Sequence, residues 1–153
     1  MDIEKILAEK GIVLPAAPKP VGSYTPVVIS RGVAYLSGQV SKLPDGTILS
    51  GKVGKDLTLE EAKKAARQAA INALSALKDF VGFDKIDGIL RIVGFVQTAP
   101  DFFEVPAVIN GASDLFLDVF GEKGLHARSS VGVHTLPMNA AVEIELTVGL
   151  KNA

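Results

Sequence analysis

Arg128 is the side chain of this sequence best placed to bind a small ligand. It immediately precedes an apolar stretch over residues 129–133. A guanidinium group there either lies at the rim of the fold or points inward, where its planar fork of N–H donors fits a carboxylate. The spacing leaves both interpretations open, and carboxylate binding is the chemistry that this residue type supports.

Glu143 and Glu145 are the second chemical feature of the chain. They occupy polar positions in a stretch over residues 141–150 that alternates apolar and polar side chains. If an antiparallel strand carrying Arg128 lay beside this stretch, one of the two carboxylates would come near the guanidinium. The alternative is a solvated sheet face with ordinary charge pairs between strands.

Residue types exclude several other kinds of site. The sequence has no cysteine, so disulfides, thiolate metal sites and cysteine nucleophiles are absent. His126 and His134 are the only histidines, and we interpret them as ordinary polar residues because a predicted loop and a predicted strand need not bring them together. Residues 46–52 nearly match a phosphate-binding loop, but Val53 stands where the metal-binding hydroxyl belongs.

Composition predicts a single domain of 153 residues and argues against a nucleic-acid-binding surface. The 16 Lys and Arg are interleaved with 17 Asp and Glu, and the net charge of −1 does not supply the basic field that phosphates require. Apolar residues make up 48% of the chain, which predicts that some apolar surface is buried between subunits. No apolar run approaches a membrane span and the N-terminus is not signal-like, so we expect a cytoplasmic protein without a membrane partner.

The element pattern predicts a two-layer α+β sandwich preceded by an arm. Residues 1–20 form the arm, with a short helix and a Pro-rich connection, and residues 21–153 form the domain. Two apolar stretches, over 27–29 and 33–37, indicate a β-hairpin, and a long helix begins with a capping box at Thr58. Residues 86–98 are mainly apolar at both odd and even positions, which predicts a central strand covered on both faces.

The second half of the chain predicts one more helix and two more strands. Asp101 and Glu104 have the spacing of another capping box, and Pro106 and Gly111 predict an interruption or a turn before the helical period resumes. After the arm the order is β-β-α-β-α-β-β, a mixed sheet with two helices on one face. The other face is uncovered, so we expect a partner subunit to cover it.

Five segments stand out in order along the chain: Val21-Gly22-Ser23-Tyr24, Leu36-Ser37-Gly38-Gln39, Ala127-Arg128-Ser129-Ser130-Val131-Gly132-Val133, Leu136-Pro137 and Val142-Glu143-Ile144-Glu145. Over about Val21 to Leu150, this ordered set closely resembles the longer-chain branch of the Rid/YjgF family, which is also called L-PSP endoribonuclease-like.

This resemblance implies a chorismate-mutase-like fold, a homotrimer with clefts between subunits, and a reaction. The implied reaction is cofactor-independent hydrolysis of 2-imino or enamine acids to 2-keto acids and ammonia, so the implied partner is a small 2-imino or 2-keto acid. Arg128 would bind the carboxylate and Glu143 would position or activate water. The substrate-binding positions that match the family are Tyr24, Ser37, Asn110 and Ser130, the last standing where the best-known deaminases have cysteine.

Two alternative functions accompany this expectation. A sensor could bind a small carboxylate in the same cleft without turnover. An endoribonuclease is the activity that the other family name implies, but the sequence pI of about 6.1 and the lack of a basic groove argue against it.

Overall fold

One mixed sheet of five strands carries two long helices on a single face. The structure, a computed structural model, describes residues 1–152. The strands run in the spatial order β1-β2-β5-β3-β4, with β3 and β4 parallel and the other pairs antiparallel. The α+β sandwich predicted from the sequence is confirmed. Its main elements are α1 (Ile3–Glu9), β1 (Val27–Ser30), β2 (Val33–Val40), α2 (Leu59–Phe80), β3 (Ile86–Gln97), α3 (Val105–Phe120), β4 (Ala127–Val133) and β5 (Val142–Leu150).

Local signals in the first half of the chain behave as predicted. The hairpin of β1 and β2 turns on Arg31 and Gly32, both with positive φ (48° and 75°), as a two-residue hairpin turn requires. The helix α2 begins with a complete capping box, in which Thr58 and Glu61 satisfy each other's backbone N–H groups. The face of α2 toward the sheet is rich in fully buried alanine, so helix and sheet pack closely.

The start of α3 differs from the prediction. The expected capping box at Asp101 is wrong, because the helix begins at Val105 and Glu104 precedes it without a side-chain cap. Gly111 does not interrupt α3 either. It lies inside the helix at its closest approach to α2, where an added Cβ would overlap the carbonyl oxygen of Lys63. Tertiary packing between helices therefore explains a glycine that the local pattern assigned to a break.

Only one face of the sheet is covered by the chain itself. Ile92 and Ile144 on the helix side are fully buried, whereas Tyr35, Leu90 and Val131 on the opposite side are 50%, 48% and 42% exposed. The prediction that β3 is covered on both faces is therefore wrong for a single chain. It is an interior strand, as expected, but β5 is the middle strand of the sheet.

The N-terminal arm packs along the helical layer. Ile3 and Leu7 of α1 are each 4% exposed, and α1 contacts α3. The Ser75 hydroxyl of α2 donates to the carbonyl oxygen of Pro15 over 2.6 Å, which holds the connection that follows α1.

Within residues 1–152, no helix is long and apolar enough to cross a bilayer.

We predict that Gly111→Ala destabilises the protein by about 1–3 kcal/mol, because the new methyl group must push α3 away from the Lys63 carbonyl. In an unobstructed helix the same change stabilises by roughly 0.5–1 kcal/mol. The sign of the change in the free energy of unfolding therefore shows whether α2 and α3 are in close contact at Gly111. Chemical denaturation measures the difference, with Asp118→Ala at an exposed position of α3 as the control. A stabilised Gly111→Ala variant would contradict the close packing of α2 and α3.

Candidate functional site

Arg128 is held by two side chains of α3. In the parallel pairing of β3 and β4, Arg128 lies opposite Ile92 and so shares its side of the sheet, which faces the helices. One guanidinium nitrogen, Nη1, donates to Asn110 Oδ1 over 2.8 Å and to Ser113 Oγ over 3.1 Å. Asn110 and Ser113 are three residues apart, so both side chains leave the same face of α3.

These two hydrogen bonds orient the rest of the guanidinium group. They use both hydrogens of Nη1, while Nε and Nη2 donate to no acceptor within residues 1–152. The remaining N–H groups form a planar edge that can bind a carboxylate through two parallel hydrogen bonds. Arg128 lines a cavity of about 250 Å³. The other lining residues are Asn110, Ser113, Asp114, Leu117, Leu125 and His126. Of the two interpretations of Arg128, this geometry favours the carboxylate fork.

His126 belongs to the same hydrogen-bonded chain, which the sequence interpretation as an ordinary polar residue missed. Its Nδ1 lies 2.6 Å from the carbonyl oxygen of Gly124 and must carry the hydrogen. In the neutral ring Nε2 is then an acceptor, and the Ser113 hydroxyl donates to it over 2.9 Å. The Ser113 oxygen is left to accept from Arg128. The signal in the sequence was the two-residue spacing of His126 and Arg128, which places both on one side of an extended segment.

Glu143 lies on the opposite face of the sheet. It follows the buried Val142 on β5 and packs against Gly38 of β2, where an added Cβ would overlap its carboxylate. Burial raises the pKa of Glu143 above the ordinary glutamate value, and the neighbouring charge of Glu145 raises it further. Glycine at position 38 is thus required for the carboxylate to lie over β2.

The structure does not bring Arg128 and Glu143 together within one chain, and the predicted antiparallel contact is wrong. The strand β4 pairs with β3 in parallel, and β3 separates it from β5. Glu143 pairs with Phe95, an odd number of residues from Ile92, so the two side chains leave opposite faces of the sheet. The crossover through α3 causes this, because it returns the chain parallel to β3 and at the sheet edge.

The predicted site residues therefore form two sets. The arginine set contains Arg128 and Asn110, with Ser130 two residues further along the same face of β4. The Ser130 Oγ is buried and has no hydrogen-bond partner within the part of the chain that the structure describes.

The glutamate set contains Glu143, Tyr24 and Ser37. The Ser37 hydroxyl donates to the carbonyl oxygen of Thr25 over 2.7 Å and ties β2 to the segment of Tyr24, whose side chain is 53% exposed. Ser37 precedes Gly38, the residue on which the Glu143 carboxylate rests.

Comparison with known proteins identifies the family. The family model described as "YjgF/chorismate mutase-like, putative endoribonuclease" matches residues 4–150. The chain belongs to this family. The resemblance stated from the motifs is therefore confirmed, and the match includes both sets of site residues.

Individual relatives cover nearly the whole chain. Protein TCP17 of Trypanosoma cruzi is 41% identical over 95% of this chain and 92% of its own length. A 2-iminobutanoate/2-iminopropanoate deaminase of Dermatophagoides farinae is 31% identical over 88% of this chain and 91% of its own. The crystal structure of a "putative endoribonuclease" from Shewanella oneidensis is 33% identical, has a TM-score of 0.93, and covers 97% of this chain and 99% of that one.

We predict that Ser113→Ala loosens the Arg128 side chain and destabilises the protein by about 1 kcal/mol, because it removes an acceptor of the guanidinium and the donor to His126. Rotation of the guanidinium group, followed by side-chain NMR of Arg128, should become faster. Asp118→Ala, exposed on α3 and outside the lining of the cavity at Arg128, is the control. An unchanged rotation rate in Ser113→Ala would contradict the anchoring role.

The raised pKa of Glu143 gives a second prediction. Carboxyl NMR should show Glu143 titrating at a higher pH in the folded protein than in urea, and Glu145→Gln should lower its pKa part of the way. The folded state holds the proton more tightly, so this contribution to stability is present at low pH and is lost as pH rises through the raised pKa. Glu122→Gln, at an exposed position in the turn after α3, should leave the Glu143 titration unchanged. A pKa of Glu143 at or below its value in urea would contradict the burial of this carboxylate.

Proposed function

We propose that the protein hydrolyses 2-imino acids, and their enamine tautomers, to 2-keto acids and ammonia without a cofactor. The observation that carries the proposal is the anchored guanidinium of Arg128, whose Nε and Nη2 edge is left available for a carboxylate. Membership of the family and 31% identity to a 2-iminobutanoate/2-iminopropanoate deaminase support it. The proposed catalytic residues are Arg128 and Glu143, with Tyr24, Ser37, Asn110 and Ser130 lining the substrate site.

The proposed reaction needs an anchor and a proton carrier. Arg128 binds the substrate carboxylate through two N–H groups and fixes the orientation of the adjacent imine carbon. Glu143 accepts a proton from the attacking water and passes it to the imine nitrogen, which gives a carbinolamine. Glu143 then transfers the remaining hydroxyl proton to the same nitrogen while the C–N bond breaks, so C=O forms and ammonia leaves. The raised pKa of Glu143 favours this role, because a carboxylate nearer to the working pH both takes up and releases a proton readily.

The two sets of residues imply that the site is shared between subunits. Arg128 and Glu143 leave opposite faces of the sheet, so one molecule cannot present both to one substrate. Two different surfaces of the chain must then meet, and such head-to-tail contacts close into a ring. The exposed sheet face that includes Tyr35, Leu90 and Val131 would be covered in the same assembly. A homotrimer with three clefts, as the resemblance implies, is the ring that we propose.

Endoribonuclease activity, which the family description names, has less physical support in this chain. RNA binding requires a basic surface that neutralises several phosphates. The chain has a net charge of −1, and its Lys and Arg side chains are interleaved with acidic ones. We therefore propose the deaminase.

The decisive experiment measures release of ammonia and 2-keto acid from freshly generated 2-iminobutanoate. Arg128→Ala and Glu143→Gln should each lose at least about 100-fold in kcat/KM, because each removes a group that acts in the transition state. Arg128→Lys should recover little, because an ammonium group cannot reproduce the bidentate fork. Binding of 2-oxobutanoate by the wild type without any turnover would replace the deaminase with the sensor.

Mixing the two inactive variants tests the shared site. When Arg128→Ala and Glu143→Gln chains are refolded together in equal amounts, about one quarter of the clefts in a closed ring receive both intact residues. Activity should therefore return to roughly a quarter of the wild-type value. The control mixes wild type with the Arg128→Ala/Glu143→Gln double variant. A site contained within one chain would show no recovery when the single variants are mixed.

A further inference from the structure

A cavity lies between the N-terminal arm and the edge of β2. It has a volume of about 500 Å³, and the segment from Pro15 to Val21 forms one wall. The opposite wall is Gly38–Val40, the part of β2 that extends beyond its pairing with β1. We call this space the arm cleft. Its volume falls within the range of about 300–1,000 Å³ that is typical of small-molecule sites.

The arm is a preformed wall rather than a loose tail. The buried helix α1 anchors it at one end, and the hydrogen bond from Ser75 to the Pro15 carbonyl fixes the point where it enters the cleft. Glu4 of α1 adds an ion pair with Lys78 of α2 over 3.0 Å. Prolines at 15, 18 and 20 restrict the backbone between these anchors, so little entropy remains to be lost when a ligand binds.

The arm cleft borders the glutamate set at two residues. Tyr24 and Gly38 both line it, and the Glu143 carboxylate packs directly against Gly38. A substrate whose imine carbon lies at Glu143 would therefore direct its side chain past Gly38 and into the arm cleft. This step rests on the proposed function, because it takes the position of the imine from the proposed role of Glu143.

The walls of the arm cleft define the side chain that it accepts. They are mainly proline, alanine, valine and leucine, with Lys19 and Lys42 as the charged lining residues and no acidic one among them. Cationic side chains therefore find no partner there, whereas apolar ones replace water against an apolar wall. Met138 adds a flexible apolar side chain that is 60% exposed at the opening.

The backbone at Met138 supports a built site. This residue has a φ of 58°, in the left-handed region that is unfavourable for a residue other than glycine. The next residue, Asn139, holds the turn in place, since its side chain accepts from Gln97 over 2.7 Å and its carbonyl oxygen accepts from the Gly51 N–H. The strained turn presents Met138 to the arm cleft.

We propose that the arm cleft binds the substrate side chain and selects 2-imino acids with long apolar side chains over the short ones. The arm is then the specificity-determining element of the site. A four-carbon branched side chain fits the volume and the apolar walls, whereas a single methyl group leaves most of the cleft filled with water. Each methylene in such a pocket changes kcat/KM by about tenfold or more.

The test compares 2-imino-4-methylpentanoate with 2-iminopropanoate, both generated in the assay. Wild type should prefer the longer substrate by at least about tenfold in kcat/KM. Ala17→Phe fills the arm cleft and should lower this preference by roughly tenfold. Val13→Phe adds the same bulk to the arm at a position that is 83% exposed and outside the cleft, and should leave the preference unchanged.

Calorimetric binding of the stable 2-keto acids separates this inference from the proposed function. Ala17→Phe should weaken the binding of 4-methyl-2-oxopentanoate at least about fivefold relative to the binding of 2-oxopropanoate, whether or not imino acids are hydrolysed. If Ala17→Phe hydrolyses imino acids with an unchanged substrate preference, the proposed role of the arm cleft is wrong and the proposed deaminase activity is retained. If no imino acid is hydrolysed but Ala17→Phe selectively loses binding of the longer keto acid, the arm cleft is supported and the deaminase activity is wrong. Equal binding of both keto acids to wild type and Ala17→Phe would overturn the arm cleft outright.

Discussion

The parallel pairing of β4 with β3 is the constraint on which the functional geometry depends. It places β4 at the sheet edge and turns Arg128 toward α3, because residues paired with the buried Ile92 share its side of the sheet. The same pairing keeps β4 away from β5, so Glu143 occupies the opposite face. Both functional side chains are thus fixed by the sheet, and the distance between them is a consequence of topology rather than of flexible loops.

Close approaches between elements complete the two sets of residues. Gly94 of β3 is buried, and a Cβ there would overlap the side chain of Ile109, so its absence lets α3 press against the sheet. This contact brings the adjacent Asn110 over β4, where it meets Arg128. Gly38 has the corresponding role beneath Glu143. In each set a glycine leaves room for a neighbouring polar side chain. The same few residues therefore determine both the packing and the position of the proposed functional groups.

The exposed sheet face and the arm connect stability with function in different ways. The apolar side chains opposite the helices are left to water in a single chain, which is a cost that association removes. The arm, in contrast, is anchored within the chain through Ile3 and Leu7 of α1, which are buried. One surface thus favours assembly, and the other shapes a cleft whose walls exist before any ligand binds.

Much of this architecture was predictable because it follows from local patterns. The hairpin at Arg31 and Gly32, the capping box at Thr58 and the alternation of β5 all depend on neighbours within a few residues, and each agreed with its prediction. The failed predictions involve partners far along the chain. Gly111 faces Lys63 of another helix, and nothing in the sequence around Asp101 reveals that α3 starts later, at Val105.

The sequence by itself determined the elements, their order, the family and the identity of Arg128 and Glu143 as the residues that could do chemistry. Only the tertiary structure decided where these two side chains point. A strand alternates its faces with a period of two, so a side chain's direction depends on which strand pairs with which and in what register. Those pairings join residues tens of positions apart, as in Arg128 with Ile92, and no local pattern encodes them. For the same reason the role of His126 emerged only when α3 placed Ser113 between it and Arg128.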